Sequence, residues 1–337
     1  MATREAYGYV VARLRAMEHR FLDPALLQRM VDAEDLAGAY KLLSETVYGP
    51  ALAGNRTGRF DEALESALLE TYREVQGFVP EPAVLEIARL LYDFHNVKVL
   101  LKSAFSLRQG GKKRWDLLTS LGSIPLDDLI ANVDAEDYRL LPYGLSRVVP
   151  QCMACWEQCR DLLEVDRLLD GQYFVALTEL VDSLGYEGIR MWARQRIDAE
   201  NLRVVLRLRR FGFDANRTLP FLHEGGTLRI PLLLSLLTEP LESWPRLLSF
   251  SAFSQAAWIL QEQPHPDEVI PGMEKALDDH ASVYWASFRY QADAPENVLA
   301  FLWGKEMEVK NLRIVLVSKA SRSDRDKVRR LLRHGYP

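Results

Sequence analysis

Residues 93–101 read DFHNVKVLL, residues 198–206 read DAENLRVVL and residues 308–316 read EVKNLRIVL. One pattern underlies all three: an acid, two residues, asparagine, an aliphatic, a base and three more aliphatics. The asparagines, Asn96, Asn201 and Asn311, are 105 and 110 residues apart. A second marker precedes each, with Glu65, Asp170 and Asp278 standing 31, 31 and 33 residues before their asparagines, each after a leucine. The pentapeptide VDAED occurs at Val31–Asp35 and again at Val133–Asp137. Two signatures are followed by a short Gly-to-Pro turn, Gly122–Pro125 and Gly226–Pro231, read here as seams between units. The chain therefore divides into 1–128 (with an N-terminal extension), 129–235 and 236–337 (with a basic C-terminal tail). A period this long exceeds that of short solenoid repeats, so each unit is expected to hold several helices and a partial core.

Apolar residues recur at three-and-four spacing over 63–75, 84–107, 154–169, 189–211 and 298–318, in stretches rich in Leu, Ala, Arg and Glu. Prolines and glycines at 80–82, 142–150, 220–226, 264–271 and 295 punctuate them. No alternating strand pattern with Asn-Gly or Asp-Gly turns occurs, so the expected class is all-α.

Composition narrows the function. With 337 residues, 48% of them hydrophobic and 26% charged, the chain has the makeup of a folded protein of two or three domains. A net charge of −5 supplies no basic field and argues against nucleic acid as partner. No apolar run reaches membrane-spanning length, and the first fifteen residues lack a secretory pattern, so the cytoplasm is the expected compartment. Three cysteines are too few for a disulfide framework.

Candidate chemistry is sparse. Cys152, Cys155 and Cys159 have a spacing that could hold a metal, yet they fall on one helical face with Trp156, Leu162 and Leu163, which favours core packing. His95 beside Asp93 suggests an acid–base pair, but its repeat equivalents are Glu200 and Lys310. Asp127-Asp128 and Asp278-Asp279 lack the third acid of a magnesium-binding aspartate motif, and no phosphate-cradling loop is present. No catalytic residue, cofactor or metal site is expected. The repeated asparagine is the informative polar group, because asparagine is a poor helix-interior residue. Together with Asp93, Asp198 and Glu308 it is expected to cap a helix or to satisfy backbone from a neighbouring loop. Lys98, Arg203 and Arg313 recur with it and are the candidate partner-binding residues. Threefold placement would make them a ring of positive charge. The last nineteen residues carry seven Lys or Arg, expected to be a solvated face or to meet an acidic partner or anionic lipid.

The N-terminal YGYVVARLRAMEHRFLD (residues 7–23), the three signatures and the closing WGKEMEVKNLRIVLVSK (residues 303–319) together resemble the C subunit of archaeal and bacterial V-type (A-type) ATP synthases, whose eukaryotic counterpart is the d subunit of the vacuolar pump. The resemblance spans nearly the whole chain. It implies a funnel of three similar helical lobes about a pseudo-threefold axis, and a non-catalytic coupler that joins the central rotor shaft to the membrane-embedded ion-translocating ring. Such a subunit is peripheral to the cytoplasmic membrane through its protein partners. The third signature departs from the others in having Val317 where Lys102 and Arg207 stand, and the cysteine run is foreign to the family. A helical-repeat adaptor unrelated to rotary ATPases and a helical metal-dependent enzyme are the competing classes.

Overall fold

The computed structural model describes residues 4–53, 60–262 and 266–336. Every regular element among them is helical, as the periodicity predicts. The chain forms two compact units, one of residues 1–82 and 238–337, the other of residues 83–237.

The spine of the first unit is the helix Glu296–Ser321, which carries the third signature. It packs against Phe60–Gln76, Pro266–Ala286, the N-terminal helix Arg4–Met17 and the short helices Pro24–Asp32, Leu36–Leu43 and Arg325–Leu331. Between Glu296 and Leu302 every residue is buried, the condition of a helix surrounded on all sides. Aspartates set the short helices. Asp23, Asp35 and Asp324 accept backbone N–H groups of Ala25, Gly38 and Lys327 at 2.8 Å, satisfying donors that a helix start leaves open. Tyr7, Tyr72, Trp244, Phe253 and Phe301 fill the core.

The second unit is built on the first two signature helices, Pro82–Arg108 and Glu187–Arg210, with Leu145–Cys159 and Leu162–Leu184 paired beside them. Pro82 opens its helix at the position where a missing N–H costs nothing. Phe105 stacks on Trp156 at 4.7 Å between centroids, and Phe94 meets Tyr173 edge-on at 5.6 Å.

Two sequence expectations need correction. The periodic stretch 154–169 is not one helix: it breaks at Arg160, which takes a left-handed conformation (φ 53°), and Asp161 caps the next helix through Leu163 N. Leu162 and Leu163 are about two-fifths exposed, so the apolar stripe ends at the break and only Cys152 and Trp156 of it are buried. Pro150 and Pro271 also lie inside helices, where punctuation was expected. Each is the sixth residue of its helix, so only one hydrogen bond near the start is forgone.

Candidate functional site

The three asparagines perform one task with one geometry. Asn96 Nδ2 donates to Thr119 O at 2.9 Å while Thr119 N donates back to Asn96 Oδ1 at 2.9 Å. Asn201 grips His223 in the same two-way fashion at 2.8 Å each way, and Asn311 grips Arg333 at 2.9 and 2.8 Å. The gripped residues lie 23, 22 and 22 positions downstream. A primary amide is the side chain that can donate and accept in parallel, so it substitutes for a missing strand partner and lets a non-helical segment lie against a helix without orphaned backbone.

The acid one turn earlier finishes the job in two copies. Asp93 accepts from Ser123 N at 3.1 Å and Ile124 N at 2.9 Å; Asp198 accepts from Thr227 N at 2.8 Å and Leu228 N at 3.0 Å. The Gly-to-Pro turns read as seams are these docked loops. A Cβ on Gly122 would overlap the Asp93 carboxylate and one on Gly226 that of Asp198, so both positions need glycine for close approach. Burial drives the Asp93 carboxyl up to about 6 despite the two backbone donors, and raises Asp198 in the same direction.

The third copy departs. Glu308 turns to the N-terminal segment, accepting from Leu22 N at 2.5 Å, Tyr48 Oη at 2.7 Å and Lys305 Nζ at 2.8 Å. Lys305 also donates to Arg20 O and lies 4.4 Å above the Phe21 ring. Tyr336 occupies the close approach: a Cβ on Gly304 would meet its ring, which stacks on Phe21 at 4.5 Å.

The three bases are all engaged within the chain. Lys98 Nζ is 2.5 Å from Asp170, Arg203 is 3.3 Å from Glu200 of its own helix, and Arg313 Nε is 2.6 Å from Asp61. Lys98 lines a cavity of about 400 Å³ in the second unit with Asp170, Glu200, Arg207, Phe211 and His223. Arg203 does not line it, and Arg313 belongs to the first unit. Burial opposes charge on Glu200, but Arg203, Arg196 and Arg207 outweigh it and hold the carboxyl below its ordinary value. Burial likewise lowers His223.

The remaining candidates resolve locally. His95 meets Leu117 O at 2.9 Å and helps hold the same loop as Asn96. Asp278 pairs with Lys310 at 2.6 Å and Arg333 at 3.1 Å, and Asp279 with Lys275 and His334 N, so this acid pair is occupied by the chain's own cations. Much of the basic tail is spent in the same way: Arg329 reaches Asp32 and Lys319 donates to Val31 O and Ala33 O. Among the described residues no three His, Cys, Asp or Glu side chains converge as a metal site would require.

Sequence reading missed the gripped partners and the purpose of Gly122 and Gly226. The near-constant offset from each acid to the following glycine turn was the available signal.

Among the described residues the repeated asparagines fasten loops of the chain to its own helices, and the three candidate bases are paired with internal acids. The sequence profile described as ATP synthase (C/AC39) subunit matches residues 10–331. The chain belongs to that family. It is 23% identical over 328 residues to the C subunit of the V-type sodium ATPase of Enterococcus hirae, covering 96% of this chain and 97% of that one. It is 24% identical over 347 residues to the C subunit of the A-type ATP synthase of Methanocaldococcus jannaschii, covering 97% and 86%. With the C subunit of the V-type ATP synthase of Thermus thermophilus it shares 28% over 234 residues, 65% and 68% of the two chains.

Proposed function

We propose that this chain is the non-catalytic C subunit of a rotary V/A-type ATPase or ATP synthase. It couples the central rotor shaft to the membrane-embedded ion-translocating ring on the cytoplasmic face, peripheral to the membrane through those partners. The observation that carries the reading is end-to-end coverage: the family match runs over residues 10–331, and a relative named as a C subunit aligns over nearly its full length. No helix among the described residues is long and apolar enough to cross a membrane, which suits a subunit that meets the ring from outside.

The division into three units, 1–128, 129–235 and 236–337, forming lobes about a pseudo-threefold axis, belongs to the same proposal and draws support from the thrice-used asparagine grip. Lys98, Arg203 and Arg313 are proposed as the bases that meet a partner. Each is matched by an internal acid, so a partner must offer acidic groups that compete with Asp170, Glu200 and Asp61. Arg313, with about half its side chain exposed, is the most available, while Arg203 is largely covered. Rim charges of this kind act chiefly on association rate and salt dependence.

Changing all three bases to Ala and measuring both assembly into the complex and the melting temperature of the isolated subunit tests the assignment. Weakened assembly with a small change in melting temperature is expected. Intact assembly, or a loss of stability that accounts for the assembly defect, overturns the partner role of these bases.

A further inference from the structure

The cysteine run holds a feature that the proposed coupling role does not use. Cys152 is fully buried, its Sγ 3.9 Å from Val165 O, and burial pushes its thiol up to about 12. Cys155 and Cys159 are different: they lie one turn apart, Cys159 is exposed and ends its helix, and the two sulfurs are 3.6 Å from each other.

That separation selects among thiol chemistries. A disulfide requires Cβ atoms about 3.8 Å apart, whereas residues four apart on a helix hold theirs at roughly 5–6 Å, so direct oxidation would have to unwind the last turn. A single atom between the sulfurs needs no such movement. A soft centre with bonds of about 2.3 Å, the zinc–thiolate length, would span the 3.6 Å gap with an angle at the centre of about 100°. The helix thus holds both sulfurs at the spacing of two bonds to one bridging atom. Soft thiolate ligands select soft centres.

We propose that Cys155 and Cys159 form a solvent-facing dithiol site that takes one thiophilic centre, of the class of monosubstituted trivalent arsenicals, bridged between the two sulfurs. With an arsine oxide the exchange is non-redox. Two S–H bonds and the arsenic–oxygen double bond break, two S–As bonds form, both protons leave with the oxygen as one water, and arsenic stays trivalent. Burial raises the Cys155 thiol, with the Cys159 contact adding to it.

The test titrates the full chain with phenylarsine oxide, followed by intact mass and by the count of free thiols, for wild type, Cys155→Ser and Cys159→Ser. Helicity and melting temperature of each variant are recorded alongside. Wild type is expected to form a one-to-one adduct with loss of two free thiols, to resist excess monothiol and to release the arsenical to a dithiol. Cys159→Ser, at an exposed helix end, keeps the fold and should bind at least about 100-fold more weakly, because the second bond is no longer intramolecular. Wild-type binding no tighter than that of Cys159→Ser overturns the proposal, as does an adduct that consumes Cys152.

Discussion

At the level of single residues, the signature is a fastening device, and its parts have separable energetics. Asn96 satisfies both backbone groups of buried Thr119, so Asn96→Ala leaves a donor and an acceptor without partners. At about 1–3 kcal/mol for each unsatisfied buried group, the change should lower the unfolding free energy by roughly 2–4 kcal/mol. His95→Ala, one residue away and exposed, should cost under about 1 kcal/mol, since water can replace it at Leu117 O. Urea unfolding of both variants checks this, and equal losses would deny the grip its special weight. Asp93 adds a pH signature. Its folded value of about 6 lies above the unfolded value of 3.8, so the protonated form is favoured on folding. Its contribution is fully present below about pH 4 and is lost as pH rises through about 6, by on the order of 2–3 kcal/mol. The difference in unfolding free energy between wild type and Asp93→Asn should therefore shift against wild type between pH 4 and 6.5. A difference that does not vary with pH would mean that the carboxyl is not held in this way.

Elements repeat as faithfully as residues. Each signature helix ends in a left-handed residue followed by an N–H that reaches back five residues: Gly111 N to Ser106 O at 2.8 Å, Phe213 N to Leu208 O at 3.0 Å, and Ser323 N to Ser318 O at 2.9 Å. The left-handed residues are Gly110, Gly212 and Arg322, with φ of 81°, 71° and 54°. This is a glycine-type helix stop, and the third copy bears a side chain where glycine is favoured. Arg322→Gly should consequently raise the urea midpoint, by about 0.5–1 kcal/mol of stability, because the left-handed conformation is costly for a residue with a Cβ. A lowered midpoint would show that the Arg322 side chain contributes more than the strain removes. Helix existence was legible because long amphipathic or wholly apolar stretches dominate this chain, and four of the five periodic stretches are single helices. The break at Arg160 was not legible, since a capping aspartate and two leucines continue the three-and-four spacing through the turn. Pro150 and Pro271 misled in the opposite sense, because one lost hydrogen bond near a helix start is tolerated. The repeated Asn announced a structural task, but its partners, 22 or 23 residues away in irregular segments, carry no common residue type. The different use of Glu308 was hidden as well, because its partners Leu22 and Tyr48 lie 286 and 260 residues earlier.

Across the described residues many polar side chains are engaged within the chain. Loops are fastened to helices by buried amides and carboxylates, the basic tail is tied to Asp32 and Asp278, and the candidate bases are paired. Such a design fits the proposed coupling role, in which rigidity and surface shape would carry load between partners. The proposed role is membership of a rotary ATPase as a non-catalytic subunit. It is tested most directly by tagging the chain in the cells that make it, solubilising the membranes gently, purifying through the tag, and measuring both subunit composition and ATP hydrolysis of the eluate. The expected eluate is a complex with the catalytic head, shaft and ring subunits, containing this chain at fixed stoichiometry and hydrolysing ATP, while the chain purified alone hydrolyses none. Recovery of the chain with unrelated partners, or of a complete rotary ATPase that lacks it, would contradict that membership.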